Sequence, residues 1–141
     1  MKVTLDTNVV VSAFLSPSGK PATILRLVLQ HDLDICFDTA ILAEYEQVLK
    51  RVKFTGKVHA PAIQRFFELM YDFGINTVRT PSDICLPDET DRKFYDVAKT
   101  AGAILITGNK KHYPNEPFIQ DPTEFLLQGK MDQSDETEAI L

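Results

Sequence analysis

Cysteine is scarce in this sequence. Cys36 and Cys85 are the only two, far apart, with no CxxC pair and no Cys/His cluster. That excludes a disulfide framework and a zinc site, and a reduced, cytoplasmic chain is expected, with both thiols acting as small core hydrophobes. Long hydrophobic runs are missing too, so no span of about 20 apolar residues crosses a membrane. The apolar stretch from Val3 is interrupted by Asp6, and no secretory leader is expected. Neither GxxxxGKS/GxxxxGKT nor GxGxxG occurs, which argues against P-loop nucleotide hydrolysis and dinucleotide binding. No serine lies in a GxSxG context, so there is no case for a hydrolase triad.

What remains is an ordinary globular composition of 141 residues, 44% hydrophobic and 25% charged. One domain is expected over residues 1–130. The net charge of -5 disfavours nucleic acid at first sight, but Asp132, Asp135, Glu136 and Glu138 account for most of it. They fall in residues 131–141, read as an acidic, disordered tail. Without those four, 16 of the 20 acidic residues face 15 basic ones. The bases cluster as Lys50, Arg51, Lys53 and Lys57, and again as Lys110 and Lys111. Such patches can track phosphates, although a lysine-rich helix end is the commoner explanation.

Along the chain, short apolar strands alternate with helical patterns. Lys2 to Leu5, Asp34 to Phe37, Ile75 to Val78, Ile104 to Ile106 and Phe118-Ile119 read as strands. Helices are predicted over Val9 to Phe14, from Pro21, after a cap at Asp38 or Thr39, from Pro61, from about Asp91, and after Asp121. Gly102 stands where a C-terminal cap belongs, and Asp121-Pro122-Thr123-Glu124 has the form of a capping box. This alternation implies a mostly parallel five-stranded sheet with helices on both faces, a three-layer α/β/α sandwich.

In that architecture the C-terminal ends of the strands share one edge with the first turns of the following helices, where ligands bind. Asp6 ends the first strand. Capping is its ordinary job, but Thr7 and Asn8 can each cap, which leaves Asp6 free for function. Glu44 falls on the stripe shared by Ile41 and Val48, where an ionised carboxylate needs a partner or a metal unless it reaches solvent at the stripe's margin. Asp91 opens a helix facing the same edge. Asp88 before it reads as that helix's N-cap, and Asp96 further along is expected to be exposed. Asn109, after Thr107-Gly108, reads as a turn residue just past a strand end.

Three carboxylates brought together without arginines repel one another, and a hard cation such as Mg2+ removes the conflict. Such an ion polarises a phosphodiester and activates water for attack on phosphorus.

The stretches "VTLDTNVVVSAFLSPSG", "ILAEYEQVL", "PDETDRKFYDVAKTAGAILITGNKKHYP" and "IQDPTEFL" together resemble the PIN-domain family. The branch they are similar to is described as toxin components of bacterial toxin–antitoxin systems, related to VapC-type toxins. The resemblance runs from about Val3 to Leu127. It implies the α/β/α fold with a five-stranded parallel sheet and Mg2+- or Mn2+-dependent cleavage of RNA. It also implies a homodimer and inhibition by a small antitoxin protein. Position by position, Asp6, Glu44 and Asp91 match the family's acidic residues, while Asn8 and Thr107 match supporting polar ones. Asn109 stands where many members carry a fourth acid. Its amide oxygen can ligate a metal but adds no charge, so a second ion would be held more weakly, with Asp88 a candidate to compensate.

The expected activity is therefore a metal-dependent endoribonuclease, with Lys110, Lys111, Lys50 and Arg51 as candidate RNA contacts. The alternative is a catalytically weak or inactive protein of this fold that binds nucleic acid or a partner chain. A phosphotransferase using Asp6 as nucleophile is disfavoured, because position 8 is Asn where such enzymes place a second Asp.

Overall fold

The computed structural model describes residues 1–129. The tail expected over residues 131–141 lies outside them. Strands β1 (Lys2–Leu5), β2 (Asp34–Phe37), β3 (Ile75–Asn76), β4 (Ile104–Ile106) and β5 (Ile119–Gln120) form one sheet in the order β3-β2-β1-β4-β5. Every pairing is parallel. Helices α1 (Thr7–Leu15), α2 (Lys20–Leu29), α3 (Thr39–Lys53), α4 (Ala60–Phe73) and α5 (Arg92–Ala101) connect them, and residues 122–129 form a sixth, α6. Among the described residues no helix is long and apolar enough to cross a membrane.

The chain steps outward from β1 to β3, then returns to place β4 and β5 on the other side of β1. Right-handed crossovers in the two directions put helices on opposite faces of the sheet, which gives the three layers. The reversal makes the gap between β1 and β4 the switch point. There Leu5 is paired in register with Ile106, so the next residues, Asp6 and Thr107, emerge side by side.

The core follows from strands buried on both faces. Val3, Leu5, Ile35, Cys36, Leu105 and Ile106 are all at most 1% exposed, as their unbroken apolar runs require. On α5 the spacing of Phe94, Val97 and Ala98 seats one face on β1, β2 and β4, while Lys99 and Thr100 face outward. Gly102 ends α5 in the left-handed region at φ 69°, where its N–H and that of Ala103 close onto the Lys99 and Ala98 carbonyls. The capping box forms as the residues imply: Glu124 N–H donates to Asp121 Oδ1 at 2.7 Å, and Asp121 N–H to Glu124 Oε1 at 3.1 Å.

The structure corrects several boundaries. Helix α1 starts two residues early, at Thr7, because the Asp6 carbonyl already accepts from Val9 N–H at 2.9 Å. Strand β3 is only two residues long. Thr77 N–H makes a last bond to the Phe37 carbonyl at 2.7 Å, after which Val78 is 94% exposed, because an edge strand has nothing beyond it to pair with. Strand β5 is shifted by one residue, to Ile119–Gln120. Asp96, expected to be exposed, is 2% exposed. Its Oδ2 accepts from Ser82 N–H at 3.3 Å, because the loop over residues 77–88 folds across that part of α5. Arg92 secures the same loop, with Nη1 donating to the Ser82 carbonyl at 2.9 Å and Nη2 to the Ile84 carbonyl at 2.6 Å.

Candidate functional site

Asp6 occupies the N-cap position of α1, yet its side chain makes no capping bond. Oδ2 turns instead across the switch point, accepting from Thr107 Oγ1 at 2.8 Å and from the Tyr113 hydroxyl at 3.1 Å. All three residues are buried. Two hydroxyl donors on one oxygen compensate for the water that burial removes. Thr107 also accepts from Asn109 N–H at 3.0 Å, so one hydroxyl links β1 to the turn after β4.

Glu44 is placed by its neighbour. Tyr45 is fully buried, and its hydroxyl donates to the Leu5 carbonyl, which docks α3 beside the end of β1. Glu44, one residue earlier, then reaches the first turn of α1, where Thr7 Oγ1 donates to Oε2. Its other oxygen, Oε1, lies 2.9 Å from Lys93 Nζ on α5. The stripe position is therefore marginal: Glu44 is half-buried and its partner is a lysine of the same chain.

Asp88 caps the 3-10 turn Glu89–Asp91, accepting from Thr90 N–H at 3.0 Å and Thr90 Oγ1 at 2.8 Å. These hydrogen bonds hold its carboxyl below the usual range. Capping is thus the role in which the structure shows Asp88. Asp91 follows at the N-cap of α5 without a side-chain capping bond. Its Oδ2 is buried and has no hydrogen-bond partner among the described residues, although His112 Nδ1 approaches to 3.3 Å. Burial pushes the Asp91 carboxyl up, and the negative charges of Asp6 and Asp88 push it further.

The three acids act on one common group. Burial first, then the charges of Asp6 and Asp91, the hydrogen bond to Asp6 and the charge of Glu44 all raise the Tyr113 hydroxyl far above its usual range. Burial with Asp6 and Glu44 does the same to Tyr45. Asp6, Glu44 and Asp91 thus all lie within electrostatic reach of the Tyr113 hydroxyl at the switch point. No three acidic, His or Cys groups among the described residues are close enough to cage an ion as they stand.

The other candidates separate. Asn8 is exposed on the first turn of α1, with no side-chain hydrogen bond among the described residues. Asn109 has its amide Nδ2 3.1 Å from His112 Nε2, because the 3-10 turn Lys110–His112 folds the imidazole back over it, and the same ring meets Asp91 Oδ2 through Nδ1 at 3.3 Å. Lys110 is paired with Glu124 at 2.9 Å, and Lys111 is exposed beside it. Lys50 and Arg51 sit in the last turn of α3, about 9 Å along the axis from Glu44 at 1.5 Å per residue. Lys50 and Lys53 there line a groove against α4 with Glu46 and Phe67, away from the acids.

Four residues of this site escape a reading of the sequence: Thr7, Lys93, His112 and Tyr113. A buried tyrosine needs a partner for its hydroxyl, which is the signal Tyr113 offered. Lys93 was visible as a cation two residues from Asp91 in the same helical turn.

A five-stranded parallel sheet with buried acids at its switch point defines an α/β domain with an acidic site. The family model described as "PIN domain" matches residues 2–111, and the chain belongs to the PIN-domain family, whose members are in general nucleases. An uncharacterized protein of Methanocaldococcus jannaschii is 31% identical over 117 residues, covering 78% of this chain and 72% of its own length. No solved structure matches the chain significantly.

Proposed function

We propose that this chain is a divalent-metal-dependent endoribonuclease, with Asp6, Glu44 and Asp91 as the acidic residues that would hold Mg2+ or Mn2+. The observation that carries the reading is the convergence at the switch point: Asp6 ends β1 against Thr107 and Tyr113, Glu44 reaches the first turn of α1, and the buried Asp91 Oδ2 lies 3.3 Å from His112 Nδ1. The donor set fits the ion: all are hard oxygens, none is held by an arginine, and the buried Asp91 Oδ2 is met by the His112 imidazole at 3.3 Å rather than by a fixed cation. When bound, such an ion polarises a phosphodiester and lowers the pKa of water.

The chain's own residues supply the rest. Thr107 and Tyr113 fix Asp6 through Oδ2, and Thr7 orients Glu44. His112 lies beside Asp91 and Asn109 at the mouth of the site. Lys111, exposed at the same edge, is a candidate phosphate contact, whereas Lys50 is better placed to meet a partner at the α3–α4 groove, with Arg51 exposed beside it on α3.

Purified protein is expected to cleave RNA with Mn2+ or Mg2+, to stop with EDTA, and to lose at least about 100-fold in rate in Asp6→Asn, since the variant removes a charge from the ion's site. Cleavage that survives Asp6→Asn would identify a contaminating nuclease. A toxin role, a small antitoxin partner and a homodimer belong to the same proposal, on the likeness to VapC-type toxins. Growth arrest on expression, relieved by a small neighbouring open reading frame, tests them.

A second reading has its own support. Both Glu44 oxygens and Oδ2 of Asp6 are partnered within the chain, and Asn109 faces His112, which suits a protein that binds RNA or another chain without cutting it. It predicts RNA retention on a filter with no metal-stimulated cleavage.

A further inference from the structure

Lys93 is unusual among the lysines of this chain. Its side chain is 13% exposed, although lysine is among the residues least often buried. It is not buried by chance packing. The ammonium lies 2.9 Å from Glu44 Oε1, donates to the Thr90 carbonyl, and sits 5.0 Å above the centre of the Phe94 ring. Three kinds of electron-rich partner thus surround one cation, next to Asp91 and inside the acidic edge. A second cation arriving at Glu44 Oε1 meets the charge of the ammonium already there, and Thr7 already donates to Oε2.

We propose that Lys93 is a resident counter-ion of the acidic site, exchanging with the divalent cation at Glu44. With no divalent ion bound, the ammonium neutralises Glu44 and keeps the acids from repelling one another. When the ion binds, the ammonium leaves Glu44, and the flexible four-carbon stem carries it toward solvent at the edge where substrate phosphates arrive. Lys93 is then a positioning residue that sets how readily the site takes metal. This rests on the metal-dependent reading above.

Two measurements test it without reference to turnover. The first is Mn2+ affinity, read by electron paramagnetic resonance on the full chain. Lys93→Met is expected to bind Mn2+ roughly five- to tenfold more tightly than wild type, the size expected for loss of a partly buried competing pair. The gain should vanish when Glu44→Gln is added. Lys110→Met, which removes a positive charge paired elsewhere, should change affinity less than about twofold, since solvent and salt screen it. The second is acylation of the Lys93 amine, followed by mass spectrometry. Saturating Mn2+ should raise its rate several-fold, roughly in proportion to the amine freed, while circular dichroism shows the fold intact.

Unchanged or weaker Mn2+ affinity in Lys93→Met overturns the exchange. So does a gain equal to that of Lys110→Met, or a Lys93 acylation rate indifferent to Mn2+. If wild type still binds Mn2+ and loses it in Asp6→Asn, the nuclease reading survives those failures. If no variant binds Mn2+, the metal reading itself fails.

Discussion

Thr107→Val should destabilise this protein more than its small change in shape implies. The hydroxyl is fully buried, donates to a carboxylate at 2.8 Å, and accepts from Asn109 N–H at 3.0 Å. A hydrogen bond to a charged group contributes about 1.5–3 kcal/mol, and valine leaves a buried carboxylate oxygen with one donor instead of two. The Asn109 N–H lies near the surface, where water replaces its partner at little cost. The sum is a loss of about 2–3 kcal/mol. For a domain near 150 residues, at about 2–4 °C per kcal/mol, that lowers Tm by roughly 4–12 °C.

Thr107→Ser keeps the hydroxyl and loses only a buried methyl, which costs about 1 kcal/mol. Urea titrations in EDTA, with equal m-values required across the set, give both numbers. A loss below about 0.5 kcal/mol for valine would refute the bond to Asp6 as a stabilising link. Valine retains the γ-methyl that serine loses, so a serine variant as damaged as the valine variant would show that the methyl's packing contributes as much as the hydroxyl's bonds.

Other outcomes follow from the same contacts. Burial, with the charges of Asp6 and Asp88, raises the folded-state pKa of Asp91 above its ordinary value of 3.8, so its ionisation costs stability in the folded protein. Its protonation favours folding as pH falls from above the raised value toward 3.8, and that gain is lost as pH rises through the raised value. Asp91→Asn should therefore be the more stable form at pH 7 in EDTA, with its advantage shrinking as pH is lowered through that window. A difference independent of pH would show that the carboxyl is not strained. Gly74→Ala should cost about 1–3 kcal/mol, since overpacked sites lose that much. A Cβ there would lie 2.5 Å from both the Met70 carbonyl oxygen and the Phe37 ring. A melting temperature unchanged from wild type would mean that α4 shifts freely at its end.

Much of this protein was legible in the sequence by itself. Apolar runs of three or four residues set between amphipathic stretches determined a parallel sheet, because strands covered on both faces have no polar side to display. Gly102 and the Asp121–Glu124 box marked helix ends, since caps are local chemistry between residues a few positions apart. Asp6 was legible as a candidate because its capping duty could be filled by its neighbours, Glu44 because its stripe disfavours charge, and Asp91 because its helix opens at the same edge as Asp6.

Tertiary structure alone decided what those acids touch. Tyr113 reaches Asp6 across 107 positions of chain and Lys93 reaches Glu44 across 49, and no periodicity encodes contacts at such separations. Asp96 was misjudged for the same reason: its exposure depends on where the loop over residues 77–88 lies, not on the face of α5 it occupies. Asn109 is turned toward His112 by one 3-10 turn, a rotation of a few backbone angles that composition does not specify. Local residue chemistry thus determined the elements and nominated the acids. Packing across the switch point determined which of them are shielded and which side chain each one meets.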